Sequence, residues 1–264
     1  GRGAGFLREP EKLDRFFDTV FANLDMRISV KTRIGIYEPE EFEGLLEVYN
    51  RYPLEELIIH PRVRQDFYKN HPNMEVFEKA CENSVNPLCY NGDLCTAEEI
   101  QRFGSRYPQV KAVMIGRGIL KNPGLVGEVK GHEKAGKERL RKFHDQIYHD
   151  YRSIMSGDKN TVFKMKEFWS YLISSFEEGE KCWKKIKKSQ TAAAYEAAVE
   201  EVTKFTDNAT GGLGEGCCCL KFCNSPFCAT SYPEKAFGGR FCRRYGQAAF
   251  FESFHSLSMV SCCT

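Results

Sequence analysis

The sequence predicts an α/β fold: a parallel sheet of βα units, followed by an all-α helical region and an irregular cysteine-rich tail. Three observations carry this. Short β-branched runs alternate with helix-period stretches four times before residue 130, helical periodicity alone continues from about Gly131, and eight of the 12 cysteines fall within residues 209–264. At 264 residues the chain is close to the roughly 250 of one (β/α)8 barrel and long enough for two ordinary domains. Apolar residues make up 42% and charged residues 28%, so the chain can bury a core.

Taken in order, Leu7, Leu13, Phe16, Phe17, Val20 and Leu24 mark a helix over residues 6–24. Ile28 to Ile34, closed by Gly35, reads as a strand, and Pro39 opens a helix whose stripe is Phe42, Leu45, Leu46 and Tyr49. Leu57 to His60 is a second short strand, stopped by Pro61, with a helix around Met74–Cys81 after it. Pro87 to Tyr90 is a third strand, ending at Asn91-Gly92. Thr96 and Glu99 form a capping box for the helix carrying Ile100 and Phe103, and Ala112 to Ile115 is a fourth strand, ending at Gly116-Arg117-Gly118.

From Gly131 the stripes are helical only: Leu140, Phe143, Ile147, Tyr151 and Ile154; then Val162, Met165, Phe168 and Leu172; then Trp183, Ile186, Tyr195, Val199 and Val202. The formal charge is +2, which excludes a chain that binds polyanions throughout, but residues 132–190 hold 14 Lys+Arg against 9 Asp+Glu. Lys181, Lys184, Lys185, Lys187 and Lys188 bunch around Trp183, where a phosphate backbone or plain solvent are both adequate partners. No stretch approaches the ~20 apolar residues of a membrane span, and GRGAGFLREPEKL is no signal peptide, so a soluble, cytoplasmic chain is expected. The tail has no helical or strand period, and its cysteines lack the repeated spacing of a zinc site, so no metal is expected. It reads as a poorly folded appendage foreign to the rest, such as the product of a shifted reading frame.

Chemistry in parallel α/β sheets sits at the C-terminal ends of the strands. There the chain places Lys31, His60, Asn91-Gly92-Asp93 and Gly116-Arg117. Two glycine turns about 25 residues apart, each after a strand, suit close backbone approach to a phosphate, and Arg117 adds a charge. Each turn alone is equally well a structural glycine. Arg62, Arg64 and Tyr68 in HPRVRQDFY can reach a nucleic acid or cap a helix.

Five motifs in order, GRGAGFLREPEKL, ISVKTRIG, ELIIHPRVRQDFY, NPLCYNGDL and AVMIGRGILKNPGL, with KMKEFWSYL after them, resemble the tRNA-dihydrouridine synthases over about residues 1–205. The resemblance implies the C-terminal half of a TIM (β/α)8 barrel over residues 1–130, which binds FMN. It further implies a tRNA-binding helical domain over 131–208, leaving 209–264 as the tail. It implies a cytoplasmic, monomeric enzyme in which NADPH reduces the flavin, hydride adds to C6 of a tRNA uracil, and a cysteine protonates C5. Carried over by position, Lys31 lies beside the flavin ring and His60 contacts the cofactor. Asn91, Gly92 and Asp93 approach its ribityl-phosphate part, and Gly116 and Arg117 bind its phosphate. Arg62, Arg64, Tyr68, Lys184 and Lys185 face RNA. The family's acidic cysteine falls upstream of Gly1, none of the twelve cysteines replaces it, and the chain is expected to be inactive. Two alternatives stand beside this: another FMN-dependent barrel reductase, and a non-catalytic RNA-binding remnant.

Overall fold

The computed structural model describes residues 3–67, 69–176, 179–204 and 260–263. Pro10 divides what the sequence presents as one helix. A 3-10 turn spans Gly3–Arg8, and α1 runs Pro10–Asn23 with the proline in its first turn, where its missing N–H costs nothing. After β1 (Arg27–Gly35), α2 (Glu41–Asn50) begins two residues beyond Pro39, which therefore does not open the helix. Glu41 organises this start instead: its carboxylate accepts the N–H groups of Ile36, Tyr37 and Glu38 at 2.9, 2.7 and 2.8 Å. Desolvation raises the Glu41 pKa, but these three bonds outweigh it and hold the carboxyl below its ordinary range.

Pro61 does not stop the second strand, as its sequence suggested: β2 runs Glu56–Val63. Arg33 pairs with His60 whereas Gly35 pairs with Val63, so two steps along β1 match three along β2. At such a bulge the ladder does not call on the N–H that proline lacks. α3 (Met74–Asn83) is capped by Asn73, whose side-chain oxygen accepts from Val76 N at 3.1 Å. β3 (Leu88–Asn91), α4 (Ala97–Arg106) and β4 (Ala112–Met114) complete the βα series. The capping box is present: Thr96 Oγ1 accepts from Glu99 N at 3.1 Å, and Glu99 Oε2 accepts from Thr96 N at 3.0 Å.

The sheet order is β4-β3-β2-β1, all parallel, with neighbours in space also neighbours in sequence. This is an α/β fold consistent with a partial TIM barrel. A further strand, β5 (Val260–Cys263), pairs antiparallel with the edge of β1, where the tail's sequence shows no strand period; an unpaired edge accepts such a partner readily. The rest of the expected tail, and with it the zinc reading of its cysteines, lies outside the described residues.

Two units are distinguished: Gly1–Gly92 and Gly104–Met114 with β5, and Asp93–Phe103 with the chain from Ile115 through the last described helix. In the first, strand alternation sends Ile28, Val30, Ile34, Leu57, Ile59, Tyr90 and Val113 to one buried face. Aromatic side chains of the helices cover it, with Phe77 centred 5.0 Å from Tyr90 and 5.8 Å from Tyr107. Thr32, buried on the same face, meets Tyr49 Oη at 2.8 Å, so neither hydroxyl is stranded in the core.

The second unit contains α5 (Arg117–Lys121), α6 (Leu125–Val129), α7 (Lys137–Ile154), α8 (Asp158–Leu172), α9 (Gly179–Lys188) and α10 (Ala192–Lys204). The α8 stripe of Val162, Met165, Phe168, Trp169 and Leu172 is buried as expected. In α7 the stripe differs. Ile154 is 73% exposed at the helix end, while His144 is buried beside Leu140 and Tyr151. Among the described residues no helix is long and apolar enough to cross a membrane.

Candidate functional site

The other sheet face is mixed, carrying polar side chains around a small apolar cluster of Ile58, Cys89, Ala112 and Met114. Register sets Lys31, Ile58, Cys89 and Ala112 in one row across the four parallel strands, and Arg33 beside His60 in the next. Asn91 and Met114 are also paired on this face, and Asn91 Nδ2 donates to Met114 O at 2.8 Å. Lys31, Arg33, Asn91 and Met114 are only half-buried, whereas the positions between them on β1, Val30 and Thr32, are buried. Alternation thus sorts one strand set into a closed apolar face and a mixed one, where the half-buried Lys31, Arg33 and Asn91 border a buried row of Ile58, Cys89 and Ala112.

Lys31 makes no hydrogen bond or ion pair with a described residue. Desolvation, helped by the Arg33 charge and opposed by Cys89, lowers its ammonium to about 8. An ammonium kept in so poor a setting is a site signal, because apolar residues would fill the row at lower cost. Cys89 beside it is buried, its Sγ 3.9 Å from Tyr90 O.

His60 is 6% exposed and Arg62 1%. Arg62 is therefore not where an RNA could meet it, contrary to the sequence expectation. Its Nε donates to Asn70 O at 2.6 Å and its Nη1 lies 3.1 Å from His60 Nε2. Arg62 lies two residues beyond His60 on the same strand, and its side chain folds back onto that residue and onto the Asn70 carbonyl. Arg33, absent from the candidates, donates through Nη1 to Val63 O at 2.8 Å and tethers the end of that strand to the mixed face. Arg64 is exposed, as an RNA contact requires, and Tyr68 lies outside the described residues. Phe67, also unflagged, is 65% exposed at φ 50°, a conformation a bulky residue adopts only when its surroundings impose it.

Gly92 has a structural cause besides any phosphate: a Cβ there would lie 2.0 Å from Tyr90 Oη. Gly116 differs. A Cβ there would meet nothing within 4 Å, so packing does not demand glycine and open space lies above the backbone. In the same unit, Arg117 is ion-paired with Asp93, joining two of the expected phosphate-site residues directly. Cys95, half-buried, has its thiol raised by desolvation.

The helical unit holds another titratable cluster that the sequence did not flag. Trp169 Nε1 donates to Tyr195 Oη at 2.8 Å, Tyr195 Oη meets His144 Nε2 at 2.6 Å, and His144 Nδ1 meets Asp145 Oδ1 at 2.8 Å. Desolvation lowers His144 to about 4 against the opposing pull of Asp145, so the ring is neutral near pH 7. Lys184 and Lys185 are exposed on α9, and Lys185 is paired with Glu201 at 2.6 Å.

Residues 1–210 match the family model described as Dihydrouridine synthase (Dus). The chain is 26% identical over 175 residues to tRNA-dihydrouridine synthase B of Shewanella oneidensis, covering 60% of this chain and 53% of that one. It is 27% identical over 212 residues to tRNA-dihydrouridine(16) synthase of Vibrio parahaemolyticus, covering 78% of this chain and 63% of that one. The chain thus spans between half and two thirds of the length of these curated relatives.

Proposed function

The chain belongs to the dihydrouridine synthase family, and from that premise we propose that it serves the FMN-dependent reduction of uridine to 5,6-dihydrouridine in tRNA, with NADPH as reductant. The observation that carries this reading is Lys31: a partly desolvated ammonium with no described partner, on the mixed face of the sheet. Within the sheet unit the residues suit the cofactor's ring: Lys31 would supply a cation, and His60 and Asn91 would add hydrogen-bonding groups from the neighbouring strands. Within the other unit, taken by itself, Gly116 has open space for close backbone approach to a phosphate. Gly92, Asp93 and Arg117 are assigned to the cofactor's ribityl-phosphate part, with the Asp93 ion pair fixing how Arg117 is presented.

Bound FMN would supply the reducing equivalents. The chain's own part is to bind and orient. Lys31 stabilises negative charge at the ring, and burial of the Ile58, Cys89 and Ala112 row excludes water beneath it. Among the described thiols, Cys89 and Cys182 are buried, and burial raises Cys81 to about 11 and Cys95 above its ordinary value, which keeps both protonated and makes them weak acids. Arg64, Phe67 and Lys184 are the exposed groups offered to tRNA, charge for phosphates and a ring for a base.

The test is an FMN titration followed by quenching of flavin fluorescence. Saturation near one flavin per chain supports the reading, whereas a folded chain that leaves flavin unquenched overturns it. In parallel, tRNA affinity should fall steeply with salt, and a flat response would remove the RNA arm.

A further inference from the structure

We infer that Arg62 is a positioning residue that holds His60 as the neutral ring with its proton on Nδ1. Arg62 Nη1 lies 3.1 Å from His60 Nε2, with both side chains buried. A guanidinium carries five N–H donors, accepts nothing and stays protonated. In this contact only Nε2 can accept, and a ring nitrogen that accepts carries no proton. The neutral ring then has its N–H at Nδ1. Protonating Nε2 would break this bond and set two cations against each other in a buried place.

The Arg62 side chain is fixed by more than His60. Its Nε donates to Asn70 O at 2.6 Å, and Asp66 pins the turn between them, with Oδ2 accepting from Val63 N at 3.1 Å and Oδ1 from Asn70 Nδ2 at 2.5 Å. The other titratable or charged groups on adjoining elements are Lys31 and Arg33 on β1, Glu56 on the same strand, Arg64 and Asp66 in the turn, and Cys89 on β3. Over the opposite sheet face lie Tyr90 of β3 and, on α3, Glu75 and Lys79, which pair with each other, Glu78, which pairs with Arg106, the half-buried Cys81 and the exposed Glu82. Three cations thus lie on or beside the His60 face, Arg62 in direct contact, and all three act against an imidazolium.

The consequence is a division of labour. His60 offers a hydrogen bond from Nδ1 and cannot deliver a proton from Nε2, so it holds and orients rather than acting as an acid. The tautomer rests on geometry alone; its bearing on a flavin or uracil rests on the function proposed above.

The test is nitrogen and carbon NMR of histidine-labelled whole chain, with His60 assigned by the signal missing from His60→Gln. We expect a protonated Nδ1 and an unprotonated Nε2, persisting at least one unit below the ordinary histidine pKa of about 6.5. In Arg62→Met the ring should lose this signature and titrate at least tenfold more readily, a shift of one unit or more, and Arg62→Lys should restore it in part. An Nε2-protonated ring in the native chain overturns the inference, as does titration unchanged by Arg62→Met. Should Arg62→Met fail to fold, the native spectrum still decides. No flavin enters the measurement, so failure of FMN binding leaves its result intact.

Discussion

The sheet's mixed face and the helical unit's core handle buried polar groups in opposite ways. In the helical core the hydroxyl, indole and imidazole of Tyr195, Trp169 and His144 meet in one chain of hydrogen bonds that ends on Asp145. On the sheet, Lys31 has no described partner and is half-buried beside the buried Ile58 and Cys89. A satisfied network rigidifies a core, whereas a costly group without a partner implies a ligand that compensates it. If Lys31 serves the binding proposed above, the same chain uses buried polarity once for stability and once for binding, and substitutions in the two places should differ in sign.

The largest effect is expected in the helical core. Trp169→Ala removes a side chain only 1% exposed together with the donor to Tyr195, and should cost about 3–5 kcal/mol in a denaturant melt. A variant losing less than about 1 kcal/mol would mean that the core is not closed as described.

Acid probes the same core through His144. Its folded pKa of about 4 lies below the unfolded value, so the unfolded chain binds the proton first. The stability this ring contributes is present above pH 6.5 and is lost as pH falls from about 6.5 to about 4, on the order of 3 kcal/mol in total. His144→Gln should flatten that slope, which unfolding midpoints across this pH window would measure.

Lys31→Met should move stability the other way. With its pKa lowered to about 8, Lys31 is held charged against a desolvation cost at pH 7, and removing it should stabilise the chain by on the order of 1–3 kcal/mol. Destabilisation would show that Lys31 belongs to the core rather than to a site.

The smallest effect is at the surface. Lys184→Ala should lower tRNA affinity two- to threefold and reduce the salt slope by about one charge, while leaving stability within about 0.5 kcal/mol. Lys185→Ala should do less, because Glu201 already pairs with it. Binding and salt titrations of the two variants side by side check the order.

Much of the fold was legible because it depends on local pattern. Alternation exposed β1, β3 and β4, helical spacing exposed α8, and the Thr96–Glu99 box was readable from two residue types three apart. What escaped depends on partners distant in sequence. Pro61 looks like a stop until the bulge against β1 removes the need for its N–H. Arg62 looks like an RNA contact until its hydrogen bonds to His60 and to the Asn70 carbonyl show it buried. Gly92 has, besides the role the sequence suggests, a packing reason in the Tyr90 ring that only the fold reveals, and His144 breaks an apolar stripe for partners as far away as Tyr195. Lys31 was legible as an oddity in an apolar strand, although only the sheet register shows which neighbours share its row.

The most direct measurement is an FMN titration of the native chain and Lys31→Met together, each with its melting curve. A binding site built on an uncompensated charge predicts saturable flavin binding by the native chain, at least tenfold weaker binding by Lys31→Met, and a melting point for the variant no lower than native. Equal affinity in both, or weaker binding that merely follows a lower melting point, would contradict it.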